Sequence, residues 1–200
     1  MALNAVIALT SRAAVKEYLR IKPANLTEDD FIDNLINRAS KKFESRTKRK
    51  LKERTLTEEY DGTGTKDLVL HEYPIKSVID VFIDFRRDFT SDTRLDDEDV
   101  VVSAAEGRIT IGTHLASRAA IGGIFSRGTK IIRVKYIAGL DPIPEDLEGA
   151  AIQLAAANFA RAREGADAIL VESAGGRTIT WKDGMPTHII DTVDDYRRRG

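Results

Sequence analysis

Few residues in this chain have the types and spacing to do chemistry, and each set has a plainer reading beside it. Asp61-Gly62-Thr63-Gly64-Thr65-Lys66 holds two glycines and a lysine, the ingredients of a phosphate loop. Such a loop needs Gly-Lys-Ser/Thr at a fixed offset running into a helix, whose N–H groups converge on the anion. Here Leu68 and Leu70 alternate out of the loop as in a strand, so the segment reads as a turn. Asp92, Asp96, Asp97, Glu98 and Asp99 offer hard oxygen ligands for a cation. They lack the alternation and central glycine of a calcium loop, and a solvated acidic loop is simpler. His71, His114 and His188 show no metal-ligand spacing, and no Gly-x-Ser-x-Gly elbow is present. A metal-dependent hydrolase built on Asp92–Asp99 therefore lacks a converging base and nucleophile. The expectation is no catalytic residue, no metal and no cofactor.

Two other features point to partners rather than reactions. Between Lys41 and Arg54 stand eight cations and two acids. Lys41, Lys42, Arg46, Lys48, Arg49 and Lys50 fall at the end of a helix, where positive charge complements the dipole. The run reads as a solvated or subunit-pairing face. Its alternative reading is a DNA-binding module, but only Phe43 lies nearby to stack on a base. Near the C-terminus, Trp181, Met185, Ile189, Ile190 and Tyr196 lie on a segment too short to bury them alone. Apolar anchors of this kind either fold back or dock on a partner. Docking is the reading taken here.

The elements that must position these groups follow from periodicity. Thr10 or Ser11 can cap a short helix to about Arg20, with Ala14, Val15, Tyr18 and Leu19 inward. Thr27 and Asp30 resemble a capping box ahead of the stripe Phe31, Ile32, Leu35, Ile36, Ala39 and Phe43, a helix to about Arg49. Strands follow. Ile79, Val81 and Ile83 share a face, and Val100–Val102 and Arg108–Ile111 flank a Gly107 turn. Ile132, Val134 and Tyr136 alternate with Arg133 and Lys135. Pro144 then opens a long helix whose face is Leu147, Ala150, Ala151, Leu154, Ala155, Phe159 and Ala162, with Gly165 as cap. The chain therefore reads as α+β. Its helical core has two N-terminal helices and one long helix near 145–164. An antiparallel β-region, 55–138, is inserted. The expected domains are a core over 1–165 and an extended C-terminal arm over 166–200, joined at Ala174-Gly175-Gly176. Gly112–Thr129 is a long connection outside that core, carrying Ile121, Ile124 and Phe125 among glycines, and a loop of this length is functional or disordered.

Composition sets outer bounds. Two hundred residues can bury a core without staples, and the absence of cysteine removes disulfides and thiolate chemistry. A net charge of −1 gives no global pull toward nucleic acid or membrane. The N-terminus lacks the basic start and apolar run of a signal peptide, and no stretch reaches the ~20 apolar residues of a membrane span.

Taken in order, the motifs resemble the head–tail connector, or adaptor, family of tailed bacteriophages and prophages. The likeness rests on Val15-Lys16-Glu17-Tyr18-Leu19; on Thr27-Glu28-Asp29-Asp30-Phe31 opening a helix to Lys50-Leu51; and on Tyr60-Asp61-Gly62-Thr63-Gly64-Thr65 with Tyr73-Pro74-Ile75. It continues in Val134-Lys135-Tyr136-Ile137-Ala138-Gly139 before Ile143-Pro144-Glu145-Asp146-Leu147, and at the end from Gly184-Met185-Pro186 to Tyr196-Arg197. Asp84–Asp99 and Gly112–Thr129 are longer than the pattern. The resemblance implies a structural virion protein and not an enzyme. It implies a homo-oligomeric ring, a dodecamer in the virion, beneath the portal protein. Such a ring extends the channel for double-stranded DNA, without sequence specificity, toward a downstream tail or stopper protein. The protein would reside in the host cytoplasm during assembly and at the head–tail interface afterwards, with no membrane. Trp181, Met185, Ile189, Ile190, Tyr196 and Arg197 would then grip the portal, and the loop with Ile121, Ile124 and Phe125 would contact the tail or the lumen. A head-completion or tail-terminator protein on a similar scaffold is the neighbouring reading.

Overall fold

The computed structural model describes residues 2–112, 121–164, 171–174, 177–182 and 184–198. It is α+β, and its contacts divide it into two compact units: residues 1–52 with 141–200, and residues 53–140. Where a separate arm from residue 166 was expected, the described tail residues fall in the first, helical unit.

The β unit is built around one strand. β1 (Arg54–Gly62) and β3 (Ile75–Ile83) both pair antiparallel with β6 (Gly128–Ala138), giving the order β1-β6-β3. The backbone N–H of Glu53 donates to the carbonyl of Leu140 at 3.2 Å, so the unit's two ends are neighbours. A second sheet holds β2 (Asp67–Val69), β5 (Arg108–Ile111) and β4 (Val100–Ser103), again antiparallel. Both sheets contribute to one core: Leu68, Ile109 and Ile111 from the second meet Val81, Ile132, Val134 and Tyr136 from the first. The β6 alternation survives as Val134, Tyr136 and Ala138 fully buried, with Lys135 exposed between them.

One facial assignment needs correcting. Val81 and Ile83 are buried, but a register shift between Val78 and Asp80 sets Ile79 out of phase, and Val78 packs on the core. A bulge inserts one residue and reverses the side-chain alternation beyond it. In the Asp61–Lys66 loop, a side chain at Gly62 would meet the carbonyl oxygen of Ser126 at 1.6 Å, so that glycine answers to a close backbone approach and not to an anion. The Asp61 carboxylate accepts from the Lys130 N–H at 2.8 Å.

Two buried tyrosine hydroxyls in this unit share one carboxylate. The Tyr136 hydroxyl donates to Glu58 Oε2 at 2.6 Å, and the Tyr60 hydroxyl donates to the same oxygen. The N–H groups of His71 and Glu72 donate back to the two hydroxyls at 3.0 and 3.3 Å. Burial first, then the Glu58 carboxylate, raises both phenols above their ordinary range, so both stay protonated donors.

The helical unit has α1 (Arg12–Tyr18), α2 (Asp29–Thr47), α3 (Glu145–Glu164), a hairpin of β7 (Val171–Ala174) and β8 (Arg177–Lys182), the short β9 (Met185–Pro186), and α4 (Thr187–Asp194). Ser11 caps α1 by accepting from the Ala14 N–H at 3.2 Å. Tyr18, expected inward, is 58% exposed, and Lys16 is buried instead. Lys16 Nζ pairs with Asp29 and donates to the Asn25 carbonyl at 2.7 Å. The Arg12 guanidinium bridges Asp29 and the fully buried Asp33. The expected capping box is absent: α2 begins after Glu28, whose side chain makes no cap bond, with Asp29 and Asp30 in the first turn. Its apolar stripe is as expected except for Phe31, half-exposed at its N-terminal end. The alanine-rich face of α3 is buried over Leu147, Ala150, Ala151, Leu154, Ala155 and Phe159, while Ala162 is exposed. Gly165 lies outside the described residues.

Phe125 is fully buried in the β core rather than exposed on a loop, which corrects the partner contact expected for it. Its N–H and C=O bond Thr65 and Gly64, both at 2.8 Å, so the backbone is anchored as firmly as the ring. Phe125→Ala should cost about 3–5 kcal/mol, read as a lower urea midpoint, whereas an exposed phenylalanine would change stability by about 0.5 kcal/mol or less.

Candidate interaction surfaces

The basic run does not form one cationic face. The Arg46 guanidinium makes a two-pronged bond to Asp194 of α4, at 2.7 and 2.6 Å. Arg49 is 7% exposed and donates to the Tyr196 carbonyl at 3.1 Å. Lys52 Nζ donates to the Ala8 carbonyl at 3.1 Å. Lys41 and Lys48 are exposed, and Lys42 and Lys50 half-buried. Lys48 ends α2 with φ +55, the left-handed cap usually given to glycine. Arg46, Arg49 and Lys52 therefore serve the chain's own carboxylates and carbonyls, so the DNA-facing or neighbour-facing role expected of the whole run is withdrawn for Arg46 and Arg49.

The apolar tail folds back. Trp181, Met185, Ile189, Ile190 and Val193 are 5%, 1%, 1%, 7% and 0% exposed. A two-turn amphipathic helix cannot leave such a stripe in water, and α2 and α3 supply the nearest apolar surface. Trp181, Met185, Ile189 and Ile190 are thus corrected from partner anchors to core. Two polar ties hold the end. The Tyr196 hydroxyl lies 2.7 and 2.9 Å from the oxygens of Asp146, and the Arg198 N–H donates to the Thr47 carbonyl at 3.0 Å. Burial and the Asp146 hydrogen bond push the Tyr196 phenol up to about 12. Of the expected portal-gripping set, only half-buried Tyr196 and exposed Arg197 still meet solvent.

The long connection is described only from residue 121. Ile121–Gly123 is a single 3-10 turn and Ile124 is half-buried. Among the described residues no cluster of three histidines or carboxylates gathers as a metal site, and no helix is long and apolar enough to cross a membrane.

Two surfaces escaped the sequence reading. The first is the loop after β3. The Asp84 carboxylate accepts the N–H groups of Arg86, Asp88 and Phe89 at 2.8, 3.0 and 2.8 Å. These bonds hold Asp84 below the usual carboxylate range, against burial, and brace Arg87 and Phe89 at φ +65 and +50. The tip presents Phe85, 61% exposed, beside Arg86 and Arg87, whose side chains have no partner among the described residues. The sequence signal was an Asp two, four and five residues ahead of its N–H donors, a spacing shared by many turns.

The second is a cleft of about 510 Å³ in the helical unit. Arg38 and Lys42 of α2 and Asn158 and Arg161 of α3 line it, over Phe31 and Leu35. The Arg161 guanidinium sits 4.0 Å from the centre of the Trp181 ring. Arg38 lay just outside the run counted in the sequence, and Arg161 stands in the last turn of α3.

These surfaces lie on a chain whose residues 8–199 match the family model described as head completion protein. The chain belongs to the head completion protein family. That agrees with the connector resemblance and includes the neighbouring reading named beside it. The head completion fold is shared with solved structures of gene transfer agent particles. One is titled the neck of an empty particle computed with C6 symmetry (20% identity, TM-score 0.61). Another is the virion of a native particle (18%, 0.63), and a third the neck of a native particle computed with C12 symmetry (17%, 0.61). In each, the match covers 100% of this chain and 95% of that chain. At these identities the likeness is one of fold. No curated protein matches the chain in sequence.

Two measurements check the local accounts. Asp194→Ala frees Arg46 from a partly exposed pair, so it should cost about 1 kcal/mol or less. It should also speed hydrogen exchange in residues 184–198 more than in α3, since the tail loses a tie. Because Asp84 titrates below its unfolded value, its stabilisation is present above the carboxylate range and lost as pH falls through the folded value. Asp84→Asn should therefore flatten the loss of stability from about pH 6 down to about pH 3, measured as urea midpoints.

Proposed function

We propose that this protein is a subunit of a ring at the head–tail interface of a phage-like particle, seated beneath the portal and extending its DNA channel toward the tail. The observation that carries the reading is the extent of the family match: it runs from residue 8 to 199, across both compact units, rather than over one shared motif. The fold likeness to neck structures computed with C6 and with C12 symmetry supports a ring, and a dodecamer agrees with both symmetries. The placement of side chains supports a structural role as well. The polar clusters described above satisfy one another: the tyrosine pair rests on Glu58, and Arg12 on Asp33. Both serve the fold.

In this reading the virion holds the assembled protein and the host cytoplasm the unassembled subunit. Its partners are copies of itself, the portal, a downstream tail or stopper protein, and duplex DNA held without regard to sequence. Among the described residues, the exposed tip Phe85-Arg86-Arg87, the cations Lys41 and Lys48, and Arg197 beside Tyr196 are open to portal, tail or phosphate contact. DNA binding through the 41–54 run as a unit is disfavoured, because Arg46 and Arg49 are committed to the tail.

The test is the mass of the purified protein across a concentration series, with negative-stain averages, alone and mixed with portal. A closed ring in either condition is expected. A monomer that stays monomeric with portal present overturns the reading.

A further inference from the structure

We propose that the tip Phe85-Arg86-Arg87 of one copy of this chain docks in the apolar cavity between β3 and β4 of a second copy, beside the acidic turn Asp96–Glu98. The proposal rests on the ring reading above and names a contact that would build the ring. The tip has the make-up of an interface anchor. Phe85 is 61% exposed, and aromatic and arginine side chains carry much of the energy of protein contacts. The side chains of Arg86 and Arg87 are exposed and have no partner among the described residues, and the exposed acid beside them is Asp88. The three N–H bonds to Asp84 hold the loop in shape, with Arg87 in left-handed backbone at φ +65, so little freedom is lost on docking. At the end of the loop Phe89 is buried, and the Arg133 guanidinium lies 3.7 Å from the centre of its ring.

The cavity is the complement. Val78, Val81, Leu95, Val100 and Val102 line a space of about 120 Å³. An apolar cavity of ~150 Å³ takes up benzene, so the scale suits a phenyl ring. β3 and β4 each stand at the edge of a sheet. Val102 is 39% exposed and Val78 and Val100 are half-buried, so the apolar wall meets water. Phe85 of the same chain is exposed, so the cavity is not filled from within. The charge of the wall has one sign. Asp80 and Asp97 share the Arg94 guanidinium, each at 2.7 Å, which leaves one negative charge in excess. Asp96 and Glu98 flank Asp97, and their side chains are exposed with no partner among the described residues. Leu95 is buried and its N–H donates to the Val81 carbonyl at 2.7 Å, which fixes the acidic turn beside the cavity. A ring flanked by two guanidiniums thus matches an apolar wall flanked by carboxylates. Tip against tip would set cation against cation. Tip against cavity joins unlike surfaces, the head-to-tail kind of contact that closes into rings.

Charge reversal with mixing tests the contact. One variant carries Arg86→Glu with Arg87→Glu, the other Asp96→Arg with Glu98→Arg. All four residues are exposed, and Asp96 makes no cap bond to the turn it precedes, so urea midpoints should stay near the wild-type value. Each variant alone sets like charge against like, and should need about tenfold more protein than wild type to form multimers. Mixed in equal amounts, the two should assemble again, in particles that hold both chains one to one. Phe85→Ala, which keeps every charge, should also raise the assembly midpoint about tenfold. Masses across a concentration series, with portal added where wild type needs it, give each readout. Wild-type assembly by either variant alone, or a mixture no better than its parts, overturns the proposal. So does binding of a duplex DNA fragment that Arg86→Glu with Arg87→Glu abolishes while multimers persist, for the tip then takes phosphate. Wild-type multimers beside unaffected variants remove this contact and leave the ring reading standing. A wild type that stays monomeric with portal present removes both.

Discussion

The pairing of β6 with both β1 and β3 is the constraint on which the β unit depends. β1 and β6 stand at opposite ends of the unit's sequence, so their ladder closes a long loop of chain. The entropy lost in that closure rises only slowly with loop length, whereas each ladder bond and each buried side chain adds to the return. Once β6 is central, its inner row of Ile132, Val134, Tyr136 and Ala138 defines the floor of the core. The second sheet covers that floor with Leu68, Ile109 and Ile111. Tyr136 then places a hydroxyl in a buried site, and Glu58 on the adjacent strand accepts it. The polar cluster follows from the ladder and does not cause it.

The helical unit obeys a different logic, because its organising contacts are ionic at the rim and apolar within. Arg12 and Lys16 hold the start of α2 through Asp29 and Asp33, while Arg46 and Arg49 hold α4 and the residues beyond it. Each cation sits next to a surface the hydrophobic effect has already closed. The ion pairs mainly fix register and geometry, and the burial of Ile189, Ile190 and Val193 supplies most of the attachment.

What could be read in the sequence was what depends on period and local chemistry. The β6 alternation, the Gly107 hairpin and the α3 stripe from Leu147 to Phe159 stand as written, with Ala162 exposed beyond it, since each follows from neighbours within one or two turns. The failures share a cause. Trp181, Ile189 and Ile190 were recognised as apolar anchors, but the surface that covers an anchor is a tertiary fact. Charge in the 41–54 run was visible, yet the partners of Arg46 and Arg49 stand near the far end of the chain. The Asp84 loop was hidden because Arg87 and Phe89 take left-handed backbone without being glycine, and only the three N–H bonds to Asp84 explain why. Arg38 and Arg161 were separated by the sequence and joined by helix packing.

The bond between Glu53 and Leu140 has a meaning for how such chains diversify. The polypeptide leaves for the β unit and returns from it at adjoining points. A segment of any length whose two ends meet in the same way can occupy that interval. Genetic crossovers at these two positions would trade one insert for another while keeping each hydrophobic core intact. Lineages that exchange genes in blocks would thus find here a cassette boundary, with variation concentrated between the two points and the flanking helices drifting by single substitutions.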